Sequence, residues 1–189
     1  MKPRTRQLLG AAAAVPLAIG ASAQGPIMLV GDAADDHGPP NVYAGLLQEV
    51  FSNATNGQSG VLALGVDMGS EAATWLMSVV SLLPEPQLVA FVNDDTVGAI
   101  SFSGYGVLYI PSSSAYTPGG ISAQENALLT ARASDVADFL DAGGGLFALT
   151  QGELDDAYGW LGDFALVTAV AVPPSGLCGE KDLFDDISP

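Results

Sequence analysis

Val61-Leu-Ala-Leu-Gly-Val66 and Leu88-Val-Ala-Phe-Val92, with the stretch between them, decide the fold of this chain. Each is a short continuous apolar run, not an alternating one, and so reads as a strand covered on both faces. Between them Ser70 stands as a cap ahead of Trp75, Leu76, Val79, Val80 and Leu83, which recur at helical spacing. Pro84 and Pro86 stop that helix. Strand, helix and strand in this order form the unit of a parallel sheet.

The alternation continues in both directions. Upstream, Ile27-Met-Leu-Val30 reads as a buried strand and residues 33–40 as a loop. Tyr43, Leu46, Leu47, Val50 and Phe51 then mark a helix, and residues 53–60 a turn-rich break. Downstream, residues 96–104 hold one helical turn, and Val107-Leu-Tyr-Ile110 is a fourth strand closed by Pro111 and three serines. Ser122-Ala-Gln-Glu125 is a capping box that opens what reads as the longest helix, with a stripe through Leu128, Leu129, Val136, Phe139 and Leu140. Gly143-Gly-Gly145 ends it in a left-handed turn, and Leu146-Phe-Ala-Leu149 is the fifth strand. An acidic, aromatic segment follows, then a sixth strand expected at residues 166–172. The expected fold is α/β: a three-layer, doubly wound, mainly parallel sheet of flavodoxin-like form. Residues 24–172 make one domain. Residues 173–189 read as a polar tail, disordered or the end of a shortened reading frame.

The first 23 residues read as an export signal. Lys2, Arg4 and Arg6 precede an apolar run over residues 8–20, then Ala21-Ser-Ala23, with cleavage expected after Ala23. The run is shorter than the ~20 residues of a spanning helix. Of 189 residues, 5 are Lys or Arg and 21 are Asp or Glu, a formal net charge of −16. After cleavage only Arg132 and Lys181 remain against the same 21 acids, so the mature charge is −19. Such a surface disfavours nucleic acid and anionic membranes, and the expected location is secreted or periplasmic.

In an open parallel sheet, ligands gather beyond the carboxyl ends of the strands. Nine carboxylates follow strands directly: Asp32, Asp35, Asp36, Asp67, Asp94, Asp95, Glu153, Asp155 and Asp156. The densest group is Gly31-Asp-Ala-Ala-Asp-Asp-His-Gly38. Asp32, Asp35, Asp36 and His37, joined by Asp94, are the candidate ligands for Ca²⁺ or Mg²⁺, because hard cations take carboxylate oxygens. The spacing is not that of an EF-hand loop, and one histidine does not make a zinc signature. The other reading is a solvated turn whose Asp caps the next helix.

Nucleophile templates are missing. No serine lies in Gly-x-Ser-x-Gly, His37 is the sole histidine, and Cys178, the sole thiol, falls in the tail. Gly143-x-Gly145-x-x-Ala148 precedes a strand instead of following one, so no nucleotide cofactor is expected. Arg132 lies four residues from both Leu128 and Val136, and is expected to pack its stem on the core and pair with a carboxylate. Trp75 reads as core. Tyr116, Tyr158 and Trp160 fall near loops and are candidates for stacking on a sugar.

Tyr105-Gly-Val-Leu-Tyr-Ile-Pro111, residues 122–140 and Gly143-Gly-Gly-Leu-Phe-Ala-Leu149 together resemble the second half of class I glutamine amidotransferase-like domains, including the trehalose-utilisation-like branch. By order of elements the resemblance extends over residues 27–150. It implies an architecture and not the activity. The family's cysteine nucleophile directly follows the strand after the glycine turn, where this chain has Thr150-Gln-Gly152, and no downstream His-x-Glu pair exists. The expected function is an exported, non-catalytic binding or surface module with a divalent-cation site at the carboxyl edge and an unidentified extracellular partner. The alternative is a metal-assisted or general-base hydrolase of a glycan or ester, using Asp32, Asp36 and His37.

Overall fold

A computed structural model describes residues 24–149 and 151–162 of the chain. The expected signal segment, sixth strand and tail, with Thr150, Cys178 and Lys181, lie outside the described residues. Five strands form one sheet: β1 (Ile27–Leu29), β2 (Val61–Leu64), β3 (Val89–Val92), β4 (Val107–Ile110) and β5 (Gly145–Ala148). Every pairing is parallel and the order is β1-β5-β4-β2-β3. Three of the five apolar runs have the predicted cause, all residues of β2, β4 and β5 being buried, whereas β1 and β3, expected to be covered on both faces, are the sheet edges and are mostly half-buried. Along the three inner strands side chains alternate between two cores. Val61, Ala63, Val107, Tyr109 and Phe147 enter one, and Leu62, Leu64, Leu108, Ile110 and Leu146 enter the other.

The first core is roofed by α2 (Pro40–Asn53) and α3 (Glu71–Ser81). Helix α2 buries Tyr43, Leu47 and Val50, and α3 buries Trp75, Leu76, Val79 and Val80. As expected, the Ser70 side chain caps α3, accepting from the Ala73 N–H. The second core is roofed by the 3-10 turn Asp94–Gly98, by α4 (Ala123–Thr130) and α5 (Ala133–Asp141), and by the 3-10 turn Gly159–Leu161. The chain is therefore an α/β sandwich of three layers. Read from its other edge, the order β3-β2-β4-β5-β1 is the flavodoxin order 2-1-3-4-5 with numbering started at β2. The first strand of this chain fills the fifth place.

Three expectations change. Residues 33–40 are not all loop, because Ala34–His37 forms one helical turn, α1. Pro39 and Pro40 separate it from α2, where Pro40 occupies the first helical position that tolerates proline. The helix expected over residues 122–140 is two helices, and the longest is α2 instead. The capping box does open α4, but the path breaks at Arg132 (φ −109°, ψ 21°). There the guanidinium donates to the carbonyls of Val97 and Ile100 at 2.7 Å each and to Asp135 at 2.8 Å, over the Phe102 ring. The expected stem packing and carboxylate pair are present, with two backbone carbonyls added. Trp160 is fully buried in the second core and is not free to stack on a ligand. Gly143 takes the expected left-handed turn at φ 88°, and the Gly144 N–H closes back on Phe139.

Arg132→Ala strips the Val97 and Ile100 carbonyls of their donors and removes the stem from Phe102. The expected loss is about 2–3 kcal/mol, read as a lower urea midpoint with unchanged slope. An unchanged midpoint would make these bonds energetically idle.

Candidate functional site

Neighbouring strands whose onward connections run away from each other, over opposite faces, open a crevice at their carboxyl ends. Here those strands are β2, which leads over the first core into α3, and β4, which leads over the second into α4. The chain closes this crevice with its own loop over residues 111–121. The Asp67 N–H donates to the Gly119 carbonyl at 3.2 Å and the Ala72 N–H to Pro118 at 3.4 Å. Gly119 lies at φ 77° with Ser70 so close that a Cβ would stand 2.1 Å from the Ser70 Cβ. Only glycine fits there.

Asp35 holds that loop down. It sits in α1, 1% exposed, and its carboxylate reaches across the carboxyl edge to the loop after β4. Oδ2 accepts from the Ser112 N–H at 2.9 Å and from the Tyr109 hydroxyl at 3.3 Å, and Oδ1 accepts from the Thr117 hydroxyl at 2.8 Å. Burial pushes the Asp35 carboxyl above its ordinary range, against the lowering effect of the Ser112 and Thr117 bonds. Burial, with the charge of Asp35 beside it, pushes the Tyr109 phenol well above its usual value, so it remains a donor. The turn α1 is also fixed at its end, where the Trp75 indole N–H donates to the Gly38 carbonyl at 2.7 Å.

The other predicted ligands do not share this point. Asp32 accepts from the Tyr43 hydroxyl at 3.0 Å. Asp36 faces outward with His37, whose Nδ1 lies 2.7 Å from its Oδ2. Asp94 follows β3, at the opposite edge of the sheet from β1, four strand spacings or about 19 Å away. Its backbone N–H donates to Glu125 Oε1 at 2.7 Å. Among the described residues no three His, Cys, Asp or Glu side chains converge as a metal site requires. The structure does not bring these five residues together: Asp94 stands at the far edge of the sheet, and Asp35 turns both oxygens to protein donors. Other rim carboxylates also hold protein donors, Asp67 from Asn93 at 2.8 Å and Asp95 from Gln124 at 3.1 Å. Gln151, just beyond β5, is buried and donates to the Pro111 carbonyl at 2.6 Å.

What the edge leaves open is a groove of about 330 Å³ between α1 and the start of α3. Asp35, Asp36, Ser70, Glu71, Thr74 and Trp75 are among its lining residues, and none of the described residues that line it is basic. The first turn of α3 would favour an anion. Three carboxylates against one helix end reverse that preference. Sequence reasoning named Asp35 and Asp36 but missed Glu71, Trp75, Tyr109 and Thr117, whose partners lie 37 to 82 residues away along the chain or across the groove. Comparison with protein-family models finds no match to this chain, and comparison with curated proteins finds none either.

The raised Asp35 pKa sets a sign. The folded state binds this proton more tightly than the unfolded one, so the stability it confers is complete below the ordinary carboxylate range and is lost as pH rises through the folded value. Asp35→Asn, which keeps an acceptor for Ser112, should flatten that part of the stability–pH curve relative to wild type. Asp35→Ala leaves three donors without an acceptor and should cost about 2–4 kcal/mol. Urea midpoints of the three proteins across pH check both; parallel wild-type and Asn curves would remove Asp35 as the titrating group.

Proposed function

We propose that the protein is an exported, non-catalytic binding module whose groove between α1 and α3 takes a ligand carrying positive charge. The observation that carries this reading is the lining itself: Asp36 and Glu71 on the rim, Asp35 in the floor and no cation among them. The ligand group is an amine, or a divalent cation held through its water shell by Asp36 and Glu71, in place of the inner-sphere site expected from the sequence. Export rests on the basic, apolar and small-residue pattern of residues 1–23. Kinship with glutamine amidotransferase-like domains is supported by the capping box, the α4–α5 pair and the Gly143 turn between β4 and β5, and concerns architecture only.

Isothermal titration with CaCl₂, MgCl₂ and spermidine separates the two cation sources. At least one should give saturable heat that weakens as NaCl is raised. Asp36→Asn and Glu71→Gln should each weaken binding by about tenfold, which is ~1.4 kcal/mol. Heat from none of the three would overturn the reading, as would binding indifferent to both substitutions.

One observation favours a second reading, a general-base hydrolase. The Asp36–His37 contact orients the imidazole so that Nε2 points away from the carboxylate, free to take a proton from water. If a panel of aryl esters and glycosides is turned over, His37→Ala should reduce the rate by about 10² or more. Turnover that survives the substitution would take His37 out of the mechanism.

A further inference from the structure

Helix α3 borders a second groove on its other flank. The volume is about 490 Å³, and Met68, Met77 and Phe91 are among the described residues that line it. Its origin is the place of β3 at one end of the described sheet. Phe91 turns to the first core, as Ala63 beside it does, but α3 roofs it only in part and leaves it half-buried. Met68 is 80% exposed and Met77 49% exposed. Single apolar side chains in water are ordinary, whereas two methionines and an aromatic ring around one concavity form an apolar surface fit for a ligand. Methionine suits such a surface because its flexible, polarisable side chain adapts to what it meets.

The acidic and apolar grooves are joined. Gly69, Thr74 and Ser78 line both. At about 3.6 residues per turn, Met77, Ser81, Thr74, Ser78 and Glu71 follow one another around α3. The apolar flank therefore passes into the acidic one across a crest of short side chains. Thr74 and Ser78 turn their hydroxyls back on the helix, donating to the Ser70 carbonyl at 2.8 Å and the Thr74 carbonyl at 2.9 Å. At the head of the crest Gly69 lies at φ 85°, and no atom stands within 4 Å of the place a Cβ would take. Two grooves of opposite character thus meet over a low passage.

We propose that they form one site for an amphipathic amine, its ammonium group against Asp36 and Glu71 and its hydrocarbon tail over Gly69 onto Met68, Met77 and Phe91. The proposal rests on the cation-binding reading of the acidic groove and names the class of cation. A divalent ion or a polyamine engages the acidic half alone. Joined grooves of a few hundred Å³ match a small organic molecule. The carboxylates set the sign of its head group, so a fatty acid, with the same tail and the opposite charge, is repelled.

Isothermal titration with ethylamine, butylamine, hexylamine and octylamine tests this, with spermidine as the control that lacks an alkyl tail. Affinity should rise about threefold for each added methylene, as the tail leaves water. Met68→Gln combined with Met77→Gln should remove most of that rise and leave spermidine binding unchanged. Both positions are exposed, so the double variant keeps its core. Glu71→Gln should weaken every amine alike, by about tenfold. Octanoate should give no saturable heat. Equal affinity along the series, with spermidine still bound, overturns this proposal and leaves the cation reading standing. A rise that survives the double substitution also overturns it, as does octanoate bound as tightly as octylamine, or octylamine binding indifferent to Glu71→Gln. Absence of heat from CaCl₂, MgCl₂, spermidine and every alkylamine removes the cation reading, and this proposal with it.

Discussion

The buried carboxylate of Asp35 is the interaction on which the carboxyl edge depends. Strands β1 and β4 are not neighbours; β5 lies between them. The loop leaving β1 must cross β5 to reach the crevice between β4 and β2, and Asp35 is what it reaches with. Its three donors come from a strand residue, a backbone N–H and a loop hydroxyl of the β4 exit. With the indole of Trp75 bonded to Gly38, these contacts bring α1 against α3 and so create the groove. A carboxylate with no cationic partner is costly to bury. Three dipolar donors offset that cost without abolishing it, which is why its proton is held more tightly than in water.

The elements were legible because inner parallel strands are dry on both faces. Continuous runs such as Val61-Leu-Ala-Leu64 have no other ready explanation, and the caps at Ser70 and Ser122 are local chemistry. Strand order was not legible, since pairing joins residues far apart in the chain. That gap is why Asp94 could be grouped with Asp32: each follows a strand, but Asp94 stands at the far edge. The break at Arg132 was hidden for the same reason: the carbonyls that draw the side chain out belong to Val97 and Ile100, some thirty residues earlier. Asp32, Asp35 and Asp36 look alike in sequence. One helical turn gives them three fates, a phenol partner, burial and a solvent-facing imidazole.

The acidic character of the edge has a further physical consequence. Residues 24–189 carry two basic side chains for 21 acids, so charge pairing is arithmetically unable to satisfy the rim. The described structure satisfies it with dipoles instead: amides from Asn93 and Gln124, hydroxyls from Tyr43 and Thr117, and backbone N–H groups from Asp94 and Ser112. Neutral donors stabilise a carboxylate without cancelling its field. Negative charge is therefore spread along an edge about 19 Å long. Asp36 and Glu71 are on that rim, beside a floor already closed by Gly119. The same dipolar solution that let the fold bury one acid leaves the others free to act at a distance.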